Sequence, residues 1–202
     1  MESEAEFPGS LRPSRFRRVQ AGALGWASVV LIDYGDADAR VLRDMLGVLG
    51  LEIVYMKAGQ PRHLVEAFTR VTSDVDYVVL AGHGDDAGLI ISDDLPEQIA
   101  QNEPFRRRLT PDLVREHVQL TGQTVIANGC QAGDTGLADA FLASGAGNYV
   151  GSTGSPFGYA SILAPVLVFY ELVSKRTLPE AVTKLQSIDE ASHLVPVPSW
   201  PQ

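Results

Sequence analysis

At 202 residues with a hydrophobic share of 45%, the chain is long enough for one sizeable domain whose core needs no disulfide or metal to hold it. A formal net charge of −9 counts against nucleic-acid and anionic-membrane partners, because neutralising phosphates takes clustered Lys and Arg. The single cysteine excludes an intrachain disulfide and fits a reducing, cytoplasmic setting, and no apolar run is long enough to span a bilayer.

Residues 1–25 are compositionally mixed, with Arg12, Arg15, Arg17 and Arg18 ahead of an apolar run. That order has the look of a signal peptide, but the run leads into Val29–Asp33, which a sheet needs as its first strand, so the expectation is a flexible N-terminal arm. Strand one is read as Ala27 to Asp33, emptying into the turn-rich Tyr34–Asp38. A helix follows, with Val41, Leu42, Met45, Leu46 and Leu49 at the spacing of a buried stripe and Gly50 as its stop. Leu51 to Met56 reads as strand two, and Pro61 opens a helix carrying Leu64, Val65 and Phe68 on one face. Strand three, Asp76 to Ala81, runs into Gly82-His83-Gly84.

Between Gly84 and Thr110 the pattern loosens into a turn at Asp85–Gly88, a short strand near Leu89–Ser92 and a polar stretch, with Arg106, Arg107 and Arg108 read as a solvated face. Thr110-Pro111 starts a helix with Leu113, Val114 and Val118 inward, and strand four, Thr124 to Ala127, delivers Asn128-Gly129-Cys130. A helix from Asp134, strand five at Asn148–Ser152, and the loop Gly154–Tyr159 come next. Ile162 to Val173 is apolar enough for a buried helix, with Pro165 in its first turn or kinking it. Thr177-Leu178-Pro179-Glu180 is a capping box for a last helix bearing Val182 and Leu185. Pro196, Pro198 and Pro201 mark 191–202 as a Pro-rich tail. Strands alternating with helices predict an α/β fold with a mainly parallel sheet covered on both faces.

Two apolar runs end alike: one in a histidine between glycines, the other in the only cysteine. If they are neighbouring parallel strands, His83 and Cys130, 47 residues apart, emerge at one sheet edge, where open α/β sheets present reactive groups. A thiol attacks as thiolate, so a base at His83 would supply what a nucleophile at Cys130 needs. The bland alternative for Cys130 is a small buried hydrophobe. His63 and His117 suggest surface or boundary packing, and His193 belongs to the tail.

On His83-Gly84, on Cys130 after a hydrophobic strand, and on Leu137-Ala138-Asp139-Ala140-Phe141-Leu142-Ala143-Ser144-Gly145-Ala146-Gly147-Asn148-Tyr149-Val150-Gly151-Ser152-Thr153, the chain resembles the caspase-like cysteine peptidases of the gingipain, CHAT and metacaspase type. The resemblance spans Val29 to Leu185. It departs from the caspase pattern at Asn128, and with Gly133 three residues after the cysteine. It implies a three-layer α/β/α sandwich with a five- or six-stranded sheet over a peptidase domain of 26–190. The sixth strand would come from Leu194–Val197 or from the loop after His83.

The resemblance further implies a His83/Cys130 dyad cleaving a protein or peptide substrate through an acyl-enzyme, with the backbone amides of Gly84 and Cys130 as oxyanion hole. It places Asp33, Asp36, Asn128, Ser152 and Thr153 in the substrate-binding pocket, where the aspartates would favour a basic P1 residue. No cofactor and no metal in the chemistry are expected, although family members bind calcium, which leaves Asp36-Ala37-Asp38, Asp85-Asp86 and Asp93-Asp94 as candidate regulatory loops. A regulatory partner or a homodimer is compatible with the family. The competing reading from another class is a catalytically inactive caspase-like domain acting as a binding or regulatory module. A doubly wound nucleotide-binding domain is a third, but Gly-x-Gly-x-x-Gly after strand one is absent.

Overall fold

The computed structural model describes residues 27–35, 38–92, 95–133, 135–155 and 159–192. The N-terminal arm, the end of the tail with Leu194–Val197 and His193, and Asp36, Asp93 and Asp94 therefore lie outside the described residues. The strands are β1 (Ser28–Asp33), β2 (Glu52–Lys57), β3 (Tyr77–Ala81), β4 (His83–Asp85), β5 (Gly88–Ile90), β6 (Arg108–Leu109), β7 (Thr124–Ala127) and β8 (Asn148–Gly151). The helices are α1 (Ala39–Leu49), α2 (Pro61–Thr69), α3 (Glu97–Ala100), α4 (Pro111–His117), α5 (Thr135–Ala143), α6 (Ala160–Leu172) and α7 (Leu178–Ser192).

Five strands form a wholly parallel sheet in the order β2-β1-β3-β7-β8. Its three central strands are apolar and buried on both sides, which is why they read as continuous hydrophobic runs without alternation. Alternate residues still go to opposite layers. Val30, Ile32, Val78, Leu80 and Val125 pack with Leu64 and Phe68 of α2, Val114 of α4 and Phe141 of α5. Val29, Leu31, Val79 and Ile126 pack with Leu42 and Leu46 of α1, Phe169 of α6 and Val182 of α7. The result is the three-layer α/β/α sandwich with a mainly parallel sheet that the sequence implies.

Helix ends follow their sequence signals. Gly50 takes a left-handed φ of 98° and its amide bonds back to Leu46 and Gly47, closing α1. The Glu180 carboxylate accepts from the Thr177 amide at 2.8 Å while the Glu180 amide donates to the Thr177 hydroxyl at 3.4 Å, so the capping box is formed. Pro165 lies well inside α6, not in its first turn. Val41 departs from expectation: it is 49% exposed, while Ala39, Leu42 and Leu46 are buried and Met45 and Leu49 pack partly buried against the core.

The segment after His83 is not an open loop. It builds a separate three-stranded antiparallel sheet, β4-β5-β6, whose Leu89 and Leu109 enter the core beside α2 and α4. The following polar stretch is tied down by Glu103, whose carboxylate accepts from the Arg62 amide and side chain at 2.7 Å each, at the N-terminal turn of α2 where a negative charge is favourable. Arg108 is not part of a solvated face either: its guanidinium is partly buried and grips Asp85 through Nε and one Nη, across the small sheet.

Phe141 carries the packing between α5 and the sheet, stacked on Tyr149 at 5.3 Å and tilted against Phe68 at 6.0 Å. Phe141→Ala is expected to cost about 3–5 kcal/mol of stability, read from urea unfolding of the variant against the parent chain. A loss well under 1 kcal/mol, on the scale of a surface change, would contradict this account of the core.

Candidate functional site

The carboxyl ends of the parallel strands form one edge, and strands β3 and β7 are neighbours in it, with Leu80 opposite Ala127. The Asn128 amide continues the ladder to the Leu80 carbonyl at 3.1 Å, and its side-chain oxygen accepts from the Gly82 amide at 3.1 Å. Ser152, at the end of β8, donates its hydroxyl to the Gly129 carbonyl at 2.8 Å. These two buried polar side chains tie three strand ends together, so both are committed to the scaffold rather than turned to a ligand.

Beyond the ties, backbone lies directly on backbone. A side chain at position 82 would run into the Tyr34 ring, and one at position 84 into the Cys130 carbonyl. Gln131 turns the chain sharply with φ 54°, and its amide and that of Gly133 bond to the Gly154 and Ser152 carbonyls at 2.8 and 2.7 Å. His83 leaves this packed edge as an exposed residue on β4, and Cys130 is partly exposed on the next loop. Gly84 and Cys130 are thus brought together, but no hydrogen bond joins the His83 ring to the Cys130 thiol, and neither side chain has a hydrogen-bond partner among the described residues.

Asp33 sits at the end of β1, 2% exposed. Its carboxylate accepts from the Gly35 amide at 3.1 Å and the Tyr55 hydroxyl at 2.5 Å, with the Lys57 ammonium 3.8 Å away. Burial, and then the hydrogen bond to Asp33, push the Tyr55 phenol above its ordinary value. Tyr55 and Lys57 went unnoticed in the sequence; the register sets Asp33 opposite Lys57, one residue beyond the Met56 at which strand two was expected to end. Asp36 is outside the described residues; Thr153 is exposed beside Ser152. Asp85 is held by Arg108, which keeps its carboxyl below the usual range, and among the described residues no cluster of three potential ligands could hold a metal.

No family model and no curated protein matches the chain. Among solved structures, a similarity is found to the signal receiver domain of a protein named as a Luxo repressor from Vibrio parahaemolyticus, with 15% identity and a TM-score of 0.37 over 82% of this chain and 98% of that one. At that level it transfers no activity.

The expectation of a caspase-like cysteine peptidase is corrected here. The comparison returns a receiver domain and not a peptidase. With that expectation go the enzyme class and the peptide substrate with its P1 preference. Among the described residues no helix is long and apolar enough to cross a membrane.

Two outcomes check this geometry. Because no hydrogen bond joins the pair, alkylation of Cys130 by iodoacetamide should proceed at rates within about twofold in the parent chain and in His83→Ala across pH 6–9, whereas a paired base changes thiolate reactivity many-fold. A steep drop in the variant would show the two coupled.

The Asp85 carboxyl, depressed by Arg108, contributes stability that is present above its ordinary value of 3.8 and lost as pH falls through the lower folded value. Asp85→Asn should therefore lower stability at pH 7 by about 1 kcal/mol or less, given the partial exposure, and flatten the acid limb of the stability profile below about pH 4. An unchanged acid limb would show that the ion pair is not formed in solution.

Proposed function

We propose that the chain is a protein-binding regulatory module that works through the carboxyl edge of its sheet without covalent chemistry. The observation that carries this reading is the pair Tyr159 and Leu163, 73% and 38% exposed and one turn apart at the start of α6. Exposed aromatic and aliphatic groups at the rim of an otherwise packed edge suit a partner surface, because tyrosine buries a large area at little entropic cost and binding crevices lie at the carboxyl ends of such sheets. Exposed His83 and Thr153 lie along the same edge and supply polar contacts. The partner is a protein, either another chain or a second copy of this one.

A photo-crosslinking residue in place of Tyr159 should capture one defined protein, while the same residue at Val48, 83% exposed on α1, should not. Leu163→Glu should abolish the adduct and Cys130→Ser should leave it intact. Equal labelling from both positions, or loss on Cys130→Ser alone, would sink the reading.

A further inference from the structure

We propose that the open lateral edge of the parallel sheet, strand β2, is a homodimer interface, pairing antiparallel with β2 of a second copy about a twofold axis between the two Tyr55 residues. β2 is an outer strand bonded to β1 alone. That neighbour takes one alternate set of its backbone groups, since the Glu52 amide donates to the Ala27 carbonyl at 3.1 Å and the Ala58 amide to the Asp33 carbonyl at 2.7 Å. By this parity the amides and carbonyls of Ile53, Tyr55 and Lys57 point away from the sheet, and among the described residues none of them bonds to the backbone of another segment. Such an edge is a template for another strand, and chains blunt it with prolines, bulges or charges in mid-strand. β2 has none of these. Its six residues run in unbroken register with β1, and the four between Glu52 and Lys57 are uncharged, with Val54 44% exposed among them.

The strand is its own complement. In an antiparallel pair, opposite residues turn their polar groups either both toward each other or both away, so the outward set of one copy must meet the outward set of the other. Centring on Tyr55 does this: Tyr55 meets Tyr55 of the second copy, Ile53 meets its Lys57, and every outward donor and acceptor of the strand is bonded. The same register sets Val54 against Met56 of the second copy, which covers the exposed valine with an apolar side chain. Centring on Val54 instead would set Lys57 against Leu51, whose amide is already bonded to the Leu46 carbonyl. Charge points the same way. Around the strand Arg40, Arg43 and Lys57 offset Asp33, Asp44 and Glu52, so a chain of net charge −9 presents here a balanced side on which a second copy meets least repulsion. Antiparallel pairing also brings the Glu52 end of one strand to the Lys57 end of the other, where parallel pairing would set like charges together. The interface lies at the opposite side of the sheet from β8 and its continuation into Tyr159 and Leu163, and does not depend on the partner proposed for them.

The test is sedimentation of the full chain together with hydrogen exchange read residue by residue. The chain should sediment as a dimer that dissociates on dilution, and Val54→Lys should weaken it about tenfold or more while Leu163→Glu leaves it intact. The amides of Ile53, Tyr55 and Lys57 should be protected only at concentrations where the dimer forms, whereas those of Val54 and Met56, turned toward β1, should be protected at all concentrations. A chain still monomeric at about 1 mM, a dimer unaffected by Val54→Lys, or outward amides that stay unprotected in the dimer would each overturn the proposal. So would protection that does not change with concentration, which would assign the edge to another segment of the same chain. Should Val54→Lys not fold, the exchange pattern of the parent chain decides alone.

Discussion

The ring of Tyr34 lies where a side chain at position 82 would have to be, and its hydroxyl stands 3.1 Å from where one at position 129 would begin. Tyr34 is 1% exposed, so this large ring is a fixed wedge beneath the ends of β3 and β7. Glycine at 82 and 129 lets the two chains close over it, and glycine at 84 lets β4 settle on the Cys130 carbonyl. Interiors are packed too densely for such contacts to give way by more than a few tenths of an ångström, so the whole carboxyl edge inherits its shape from this wedge. The ties from Asn128 and Ser152 then hold the strand ends against it.

That packing also accounts for a pattern that has another meaning in sequence. A histidine between glycines and a cysteine after a glycine look like a catalytic constellation, because chemistry on a backbone substrate favours small neighbours. Here the glycines answer to a tyrosine ring and to a neighbouring carbonyl. His83 stands exposed on β4 and Cys130 partly exposed on the loop after β7, with no hydrogen bond between them.

The layers of the fold were legible because burial on two faces leaves uninterrupted apolar runs, as in Val78–Ala81 and Val125–Ala127, and because Gly50 and the Thr177–Glu180 box act locally. The antiparallel sheet β4-β5-β6 was legible only as one short strand near Leu89, since strands of two or three residues have no period to detect. Arg108 looked like one of three equivalent surface cations because nothing in a run of arginines says which one faces a carboxylate 23 residues away. Spacing along the chain predicts which strand tips share an edge, but not whether the side chains they carry touch.

The edge is also unequal from end to end, and this bears on what can bind where. At the β1–β2 side a buried carboxylate is surrounded by a tyrosine hydroxyl, a backbone amide and an ammonium, and Arg43 lies over the Tyr55 ring at 5.5 Å. A ligand there would have to displace interactions already made, and each broken contact to a buried charge is costly. At the β7–β8 side the polar groups are turned into the scaffold and the neighbouring walls are uncharged. Burial of apolar surface is non-directional and gains from every contact without breaking one. The apolar surface left open at this edge is therefore on the α6 side, at Tyr159 and Leu163.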